Sequence, residues 1–242
     1  MSSTMRLITA PAKTGELRAG IEIKLKPGWK TYWRYPGDSG VPPRFDFSGS
    51  DNLRSAKVLW PAPYAFNDET GTSIGYKDGV TFPLRVIPRD AAKPVTLKLK
   101  LDYAVCEKLC VPAQGKADLT IDNPSAANDV TLSAAEANVP QPASAADAGL
   151  IAKRVTRTIK PLVMLEIAAP KTGAPYQVLV EGPTSEWAIP IPKGALGAPP
   201  GKRHFEFELD GIPPGVDPMG PFELTFTIVG GDKPLEVTTR LD

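Results

Sequence analysis

Cysteine and histidine are nearly absent from this chain of 242 residues, which holds two of the first and one of the second. With His204 alone, a Cys-His hydrolase centre has little to be built from, and a closed zinc site lacks its four ligands. Charge of one sign is missing too. Lys and Arg number 28 against 27 Asp and Glu, a net +1 spread without a basic block, so nothing recommends nucleic acid as a partner. No stretch approaches the roughly 20 apolar residues of a membrane helix, and Met1-Ser-Ser-Thr lacks the charged and apolar regions of a signal peptide. The chain is therefore expected to be soluble, with any export signal or transmembrane segment of the natural protein lying outside it. Room for long helices is also scarce. The 27 prolines and 21 glycines interrupt the sequence every few residues, and an all-β fold follows.

What is present reads as strands. In Leu17-Arg-Ala-Gly-Ile-Glu-Ile-Lys-Leu-Lys26, residues Leu17, Ala19, Ile21, Ile23 and Leu25 share one face and mostly charged residues the other, the period of a half-buried strand. Val95, Leu97, Leu99 and Leu101 repeat the pattern, and shorter strands are expected at 56–60, 80–87 and 116–121. Short strands at this spacing argue for a sandwich. Further on, strand patterns are expected near 159–168, 176–181, 203–209, 222–229 and 234–241, where Phe205, Phe207 and Leu209 alternate with polar residues. A second sandwich is the simplest account. Between 123 and 150 the composition shifts to Ala, Ser, Asn and Pro, and Ser133-Ala-Ala-Glu136 has the form of a capping box opening a short helix. The expected organisation is thus a first β-sandwich over 1–122, a linker with a short helix over 123–150, and a second β-sandwich over 151–242.

Both cysteines lie in Asp102-Tyr-Ala-Val-Cys-Glu-Lys-Leu-Cys-Val-Pro112, after a strong strand pattern. In an extended strand residues four apart are separated by roughly 13 Å, whereas disulfide-bonded Cα atoms lie about 4.4–6.8 Å apart. For the sulfurs to bond, residues 107–109 must turn. A structural disulfide is one reading, although a ring of about five residues stabilises by only roughly 2 kcal/mol, against almost 5 for a 100-residue loop. A short ring at a strand end that offers a sulfur to another protein's thiolate is the second. Cu(I) held by two thiolates is the third. Lys108 favours and Glu107 opposes a neighbouring thiolate.

The segments Gly28-Trp-Lys-Thr-Tyr-Trp-Arg-Tyr-Pro-Gly-Asp-Ser-Gly-Val-Pro42, Trp60-Pro-Ala-Pro63, Gly75-Tyr76, Phe82-Pro83 and Tyr103-Ala-Val-Cys-Glu-Lys-Leu-Cys-Val-Pro112 together resemble the periplasmic N-terminal region of the DsbD-like membrane thiol:disulfide reductases. The likeness covers roughly residues 10–140 and is greater to the suppressor-of-copper-sensitivity (ScsB) branch, since in DsbD itself the cysteines stand farther apart. The resemblance implies an immunoglobulin-like domain whose cysteine pair, in a periplasmic and membrane-attached protein, takes electrons from the transmembrane electron-transfer domain of the same reductase. It then passes them to periplasmic thioredoxin-like proteins. By position Cys110 matches the cysteine that forms mixed disulfides and Cys106 the one that resolves them, and no cofactor or metal is called for. In the oxidised protein the two are expected to pair. The run Phe66–Gly75 stands where the family has a cap loop, with Tyr64 and Phe66 as shielding aromatics and Asp68 and Glu69 in the same loop; an ordinary hairpin loop is the other reading. Trp29, Tyr32, Trp33 and Tyr35 form either a partner surface or core packing.

Overall fold

The computed structural model describes residues 2–13, 16–37, 40–68, 71–122, 126–155, 160–170 and 176–242. It divides into two compact units, Met1–Val139 and Pro140–Asp242. The first contains β1 (Ser3–Lys13), β2 (Glu16–Leu25), β3 (Lys30–Gly37), β4 (Arg44–Asp46), β5 (Leu53–Val58), β6 (Tyr64–Asp68), β7 (Gly71–Lys77), β8 (Gly79–Pro88), β9 (Val95–Cys106), β10 (Cys110–Ile121) and the helix α1 (Asp129–Ala137). One sheet has the order β1-β2-β8-β5; the other runs β10-β9-β3-β7-β6, with β4 also paired to β9. All these pairings are antiparallel.

Alternation explains the two best-marked strands. Ala19, Ile21 and Ile23 of β2 and Val95, Leu97, Leu99 and Leu101 of β9 are at most 1% exposed and fill the space between the sheets. Phe82 joins them, with Phe45, Trp60 and Tyr76 each meeting its ring edge to face at 5.1–5.5 Å. Such contacts add to the area they bury. Strand β1 lacks this alternation because both of its faces are covered along Leu7, Ile8, Thr9 and Ala10, all buried. Apolar residues on both faces leave no period of two to show, whereas β2, also covered on both sides from Arg18 to Ile23, keeps its period because Arg18, Gly20 and Glu22 occupy its outer face.

The outer cover of that sheet is α1. Leu132 of the helix is wholly buried and fits over Gly20, where an added Cβ would stand 2.9 Å from Leu132 Cδ1. The expected capping box does not open the helix. Ser133 lies in its middle, and Asn128 precedes the first turn with no side-chain cap. Asp129, Ser133 and Glu136 follow helical spacing on one face instead, and all three bind the guanidinium of Arg18, which is 5% exposed. Arg18 Nε and Nη2 take the two oxygens of Glu136 at 2.9 and 2.8 Å. A buried cation outcompeted the backbone for these side chains.

The second unit contains β11 (Gln141–Pro142), β12 (Ile151–Val155), β13 (Leu162–Ala168), β14 (Gln177–Glu181), β15 (Lys193–Ala195), β16 (Lys202–Glu208), β17 (Phe222–Val229) and β18 (Leu235–Leu241). Its sheets are β11-β18-β17-β14 and β12-β13-β16-β15. Val163, Leu165 and Ile167 of β13, Phe205 and Phe207 of β16, and Leu224, Phe226 and Ile228 of β17 form its core. The chain is all-β, two immunoglobulin-like sandwiches with a short helix. The span 123–150, expected as a linker, is shared out between the units. Its helix is packed on the first, while Ala148 and Leu150 enter the core of the second. Small residues look like linker in composition, yet they also permit close packing, which is how this segment uses them.

Candidate dithiol site

Strands β9 and β10 form a hairpin in which Cys106 and Cys110 are directly opposed, joined by residues 107–109. Opposed residues of an antiparallel ladder have Cα atoms about 4.5–5.5 Å apart, inside the 4.4–6.8 Å range of disulfides. The register alone therefore holds the sulfurs within bonding reach, and the turn required of residues 107–109 is the hairpin loop. Both thiols are free, the dithiol state, with Cys110 exposed and Cys106 half-buried. Around Cys110 the surface is apolar: Leu109 at the loop is 79% exposed and Val111 45%.

Register places further side chains on the same sheet face. Cys106 is opposite Lys30 on β3, which is opposite Lys77 on β7. Two residues on, Tyr32 stands opposite Gly75, and Gly75 opposite Tyr64 on β6. Because opposed residues share a face and alternate residues return to it, Cys106, Cys110, Lys30, Tyr32, Tyr64 and Phe66 all project on one side. The Tyr32 ring is 3% exposed, and its hydroxyl lies 2.8 Å from Cys110 Sγ. Gly40 lies against that ring: an added Cβ there would come 2.6 Å from Tyr32 Cδ1 and 2.4 Å from Pro36 Cβ. Lys30 Nζ stands 5.0 Å from the centroid of Phe66, within cation–π reach.

These surroundings act on the titrating groups. Burial, with the adjacent Cys110 adding to it, pushes the Cys106 thiol up, while the Tyr32 hydroxyl and the charge of Lys30 pull it down without prevailing. The Tyr32 phenol is pushed far above its ordinary value, first by burial and then by its hydrogen bonds to Cys110 and Cys106. It remains protonated wherever a thiolate forms beside it.

The remaining residues singled out from sequence fall into place unevenly. Tyr64 is 58% exposed and Phe66 half-buried, both on the strand leading into the β6–β7 hairpin. Asp68 closes β6 opposite Gly71, its side chain lying outside the described residues, as does Glu69 entirely. Of the aromatic cluster, Trp33 is wholly buried and Trp29 and Tyr35 are half-buried, which is packing, whereas Tyr32 packs its ring and turns its hydroxyl to a cysteine. That contact was not foreseen. The aromatic at 32 was visible in the sequence, but its neighbour depends on which strand pairs with which. His204 on β16 is turned to Glu166 on β13, Nε2 to Oε2 at 3.2 Å, in the other unit. Among the described residues no group of three or more His, Cys, Asp and Glu side chains gathers that would hold a metal ion.

Residues 4–122 match the family model described as "Thiol:disulfide interchange protein DsbD, N-terminal". No curated protein matches the chain. Among solved structures, the N-terminal periplasmic domain of ScsB from Proteus mirabilis is similar with a TM-score of 0.72 at 20% identity, over 99% of this chain and 91% of that one. The CupB6 tip adhesin from Pseudomonas aeruginosa, at 9% identity over 100% of this chain and 99% of that one, gives a TM-score of 0.16. The family match spans β1 to β10, the strands that carry the dithiol, and it is these residues, the matched span 4–122, that are recognised as a DsbD N-terminal thiol:disulfide interchange domain.

Proposed function

We propose that this chain is a periplasmic protein-disulfide reductase module, which takes electrons from the membrane domain of a DsbD/ScsB-like reductase and hands them to thioredoxin-like partners through Cys106 and Cys110. The observation that carries this reading is the opposed pair with unequal exposure: one sulfur open to a partner, the other half-buried beside it. The Cys110 thiolate attacks a partner disulfide, forming one S–S bond as the partner's own breaks and its leaving sulfur takes a proton. Cys106, deprotonated, then attacks Cys110 Sγ and releases the partner's second thiolate. Two electrons and two protons have passed, and the module is left with an intramolecular disulfide. Phe66, under the Lys30 ammonium beside Cys106, and Tyr64 on the same sheet face cover the Cys106 side of the pair and leave Cys110 open to the partner. Exposed Leu109 and Val111 give the partner an apolar footing.

A structural brace is a poorer account. The hairpin ladder already closes the loop that a Cys106–Cys110 bond would close, and a ring so small stabilises by only about 2 kcal/mol. Titration against glutathione redox buffers, followed by mixing with an oxidised thioredoxin-like protein, tests the proposal. The pair is expected to equilibrate within the native fold and to reduce the partner in stoichiometric amount. A disulfide that resists reduction until the protein unfolds would refute it.

A further inference from the structure

Deepening the proposed exchange reaction, and resting on it, we infer that the Tyr32 hydroxyl is the hydrogen-bond donor that stabilises the attacking thiolate of Cys110. The phenol oxygen is 2.8 Å from Cys110 Sγ. Against a thiol either atom can donate; against a thiolate only the phenol has a proton to give. The ring has little freedom to turn away. It is 3% exposed and pressed by the chain at Gly40, a position where any side chain would collide with it. The donor is thus held in place before the charge forms, and hydrogen bonds to charged groups are the strong ones.

Tyr32 gains and loses no proton in the reaction. As the Cys110 thiolate attacks, the negative charge leaves its sulfur for the partner's leaving sulfur, and the hydroxyl loses its charged acceptor. When Cys106 in turn attacks Cys110 Sγ, the charge passes from Cys106 to the partner's second sulfur, and the phenol is left beside a neutral disulfide. A donor placed this way favours the dithiol over the disulfide and so makes the pair easier to reduce. The other titratable groups on or beside this face are Cys106 on β9, Lys30 and Arg34 on β3, Lys77 on β7 and Tyr64 on β6.

The test is alkylation of the reduced chain by iodoacetamide, with the rate at Cys110 read by mass spectrometry, in the native protein and in Tyr32→Phe. Losing a charged hydrogen bond makes the thiolate about ten- to a hundredfold less favoured, but a thiolate without that donor is intrinsically more reactive. The net expectation is a rate about three- to tenfold lower. At alkaline pH, once the rate in each protein has reached its plateau, Tyr32→Phe should react as fast or faster. Equal rates at pH 7 would overturn the inference, and so would the same slowing at both pH values, which marks disturbed packing. Should Tyr32→Phe fold poorly, replacing the tyrosines with 3-fluorotyrosine leaves the ring in place with a more acidic, stronger donor. Alkylation at pH 7 should then be faster, and no change would overturn the assignment. Alkylation requires no partner. A chain with this pH signature that fails to reduce protein disulfides would defeat the proposed function and leave the role of Tyr32 standing, while normal exchange without the signature would do the reverse.

Discussion

Cys106 and Cys110 sit opposite one another, yet solvent reaches them unequally, and in the proposed exchange this makes Cys110 the sulfur that meets a partner first. Cys106→Ser keeps the exposed nucleophile and removes the sulfur that resolves the mixed disulfide, so a covalent complex with an oxidised thioredoxin-like protein should accumulate on a non-reducing gel. Cys110→Ser should trap far less; an adduct confined to it would reverse the two roles. Burial raises Cys106, so at neutral pH that sulfur rests as the thiol and resolution waits on its deprotonation. In the native chain the mixed disulfide should accordingly last longer at pH 6 than at pH 9, its decay quickening by up to about tenfold per pH unit while the thiol predominates. Quenching the reaction with acid at intervals and weighing the adduct by mass spectrometry would show it. That the two cysteines can meet is legible because bonding requires residues 107–109 to turn, and the β9–β10 hairpin supplies that turn. Tyr32 is not, since its contact with Cys110 crosses from β3 over β9 to β10 and no local pattern in the sequence records that order.

Helix α1 shows how an element can be read correctly in kind and misread in use. A short helix was expected, but Ser133 and Glu136, taken as its cap, prove to be ligands of Arg18. Sequence shows spacing along one helix; it does not show a cation arriving from β2. Likewise β2, β9 and β17 are legible because apolar residues alternate with polar or small ones along each, even though β2 is covered on both faces from Arg18 to Ile23, while β1 and β3 carry large side chains buried on both faces and the β6–β7 hairpin is too short to show a period. Leu132→Ala should destabilise the first unit by about 2–5 kcal/mol, the usual cost of truncating a buried leucine, and leave the alkylation rate of Cys110 in the folded protein unchanged. Chemical denaturation followed by tryptophan fluorescence would measure it. The clasp is also acid-sensitive. The hydrogen bond from Arg18 holds the Asp129 carboxyl below its ordinary value, so the stability it contributes is complete above about pH 4, where an unfolded aspartate ionises, and is lost as pH falls through the lower folded value. Amide exchange in α1 should speed up over that acid range. In Arg18→Met this particular dependence should vanish.

At the scale of the whole chain, the division after Val139 has a consequence that the matched span 4–122 conceals. Each unit closes its own core, and the only two cysteines belong to the first, so the second carries no thiol chemistry. Composition placed a linker at 123–150 because alanine, serine and proline are common in linkers. What composition cannot weigh is a lone large apolar residue among small ones, and Leu132 is what fastens the helix to the sheet over Gly20. A fragment of residues 1–139 should therefore fold cooperatively and reduce an oxidised thioredoxin-like partner at the rate of the full chain. A fragment ending at residue 122 has every strand of the dithiol sandwich but lacks α1, which leaves Ile8 and Gly20 uncovered and takes from Arg18 all three of its helix ligands. Exposing an apolar patch of about one leucine and its neighbours costs some 2–4 kcal/mol, a large part of a domain's usual stability of 5–15 kcal/mol. The shorter fragment should then unfold at a clearly lower denaturant concentration than 1–139. Equal midpoints would mean that the helix is an ornament of the first unit and that the family boundary at 122, not the packing boundary at 139, marks where the exchange domain ends.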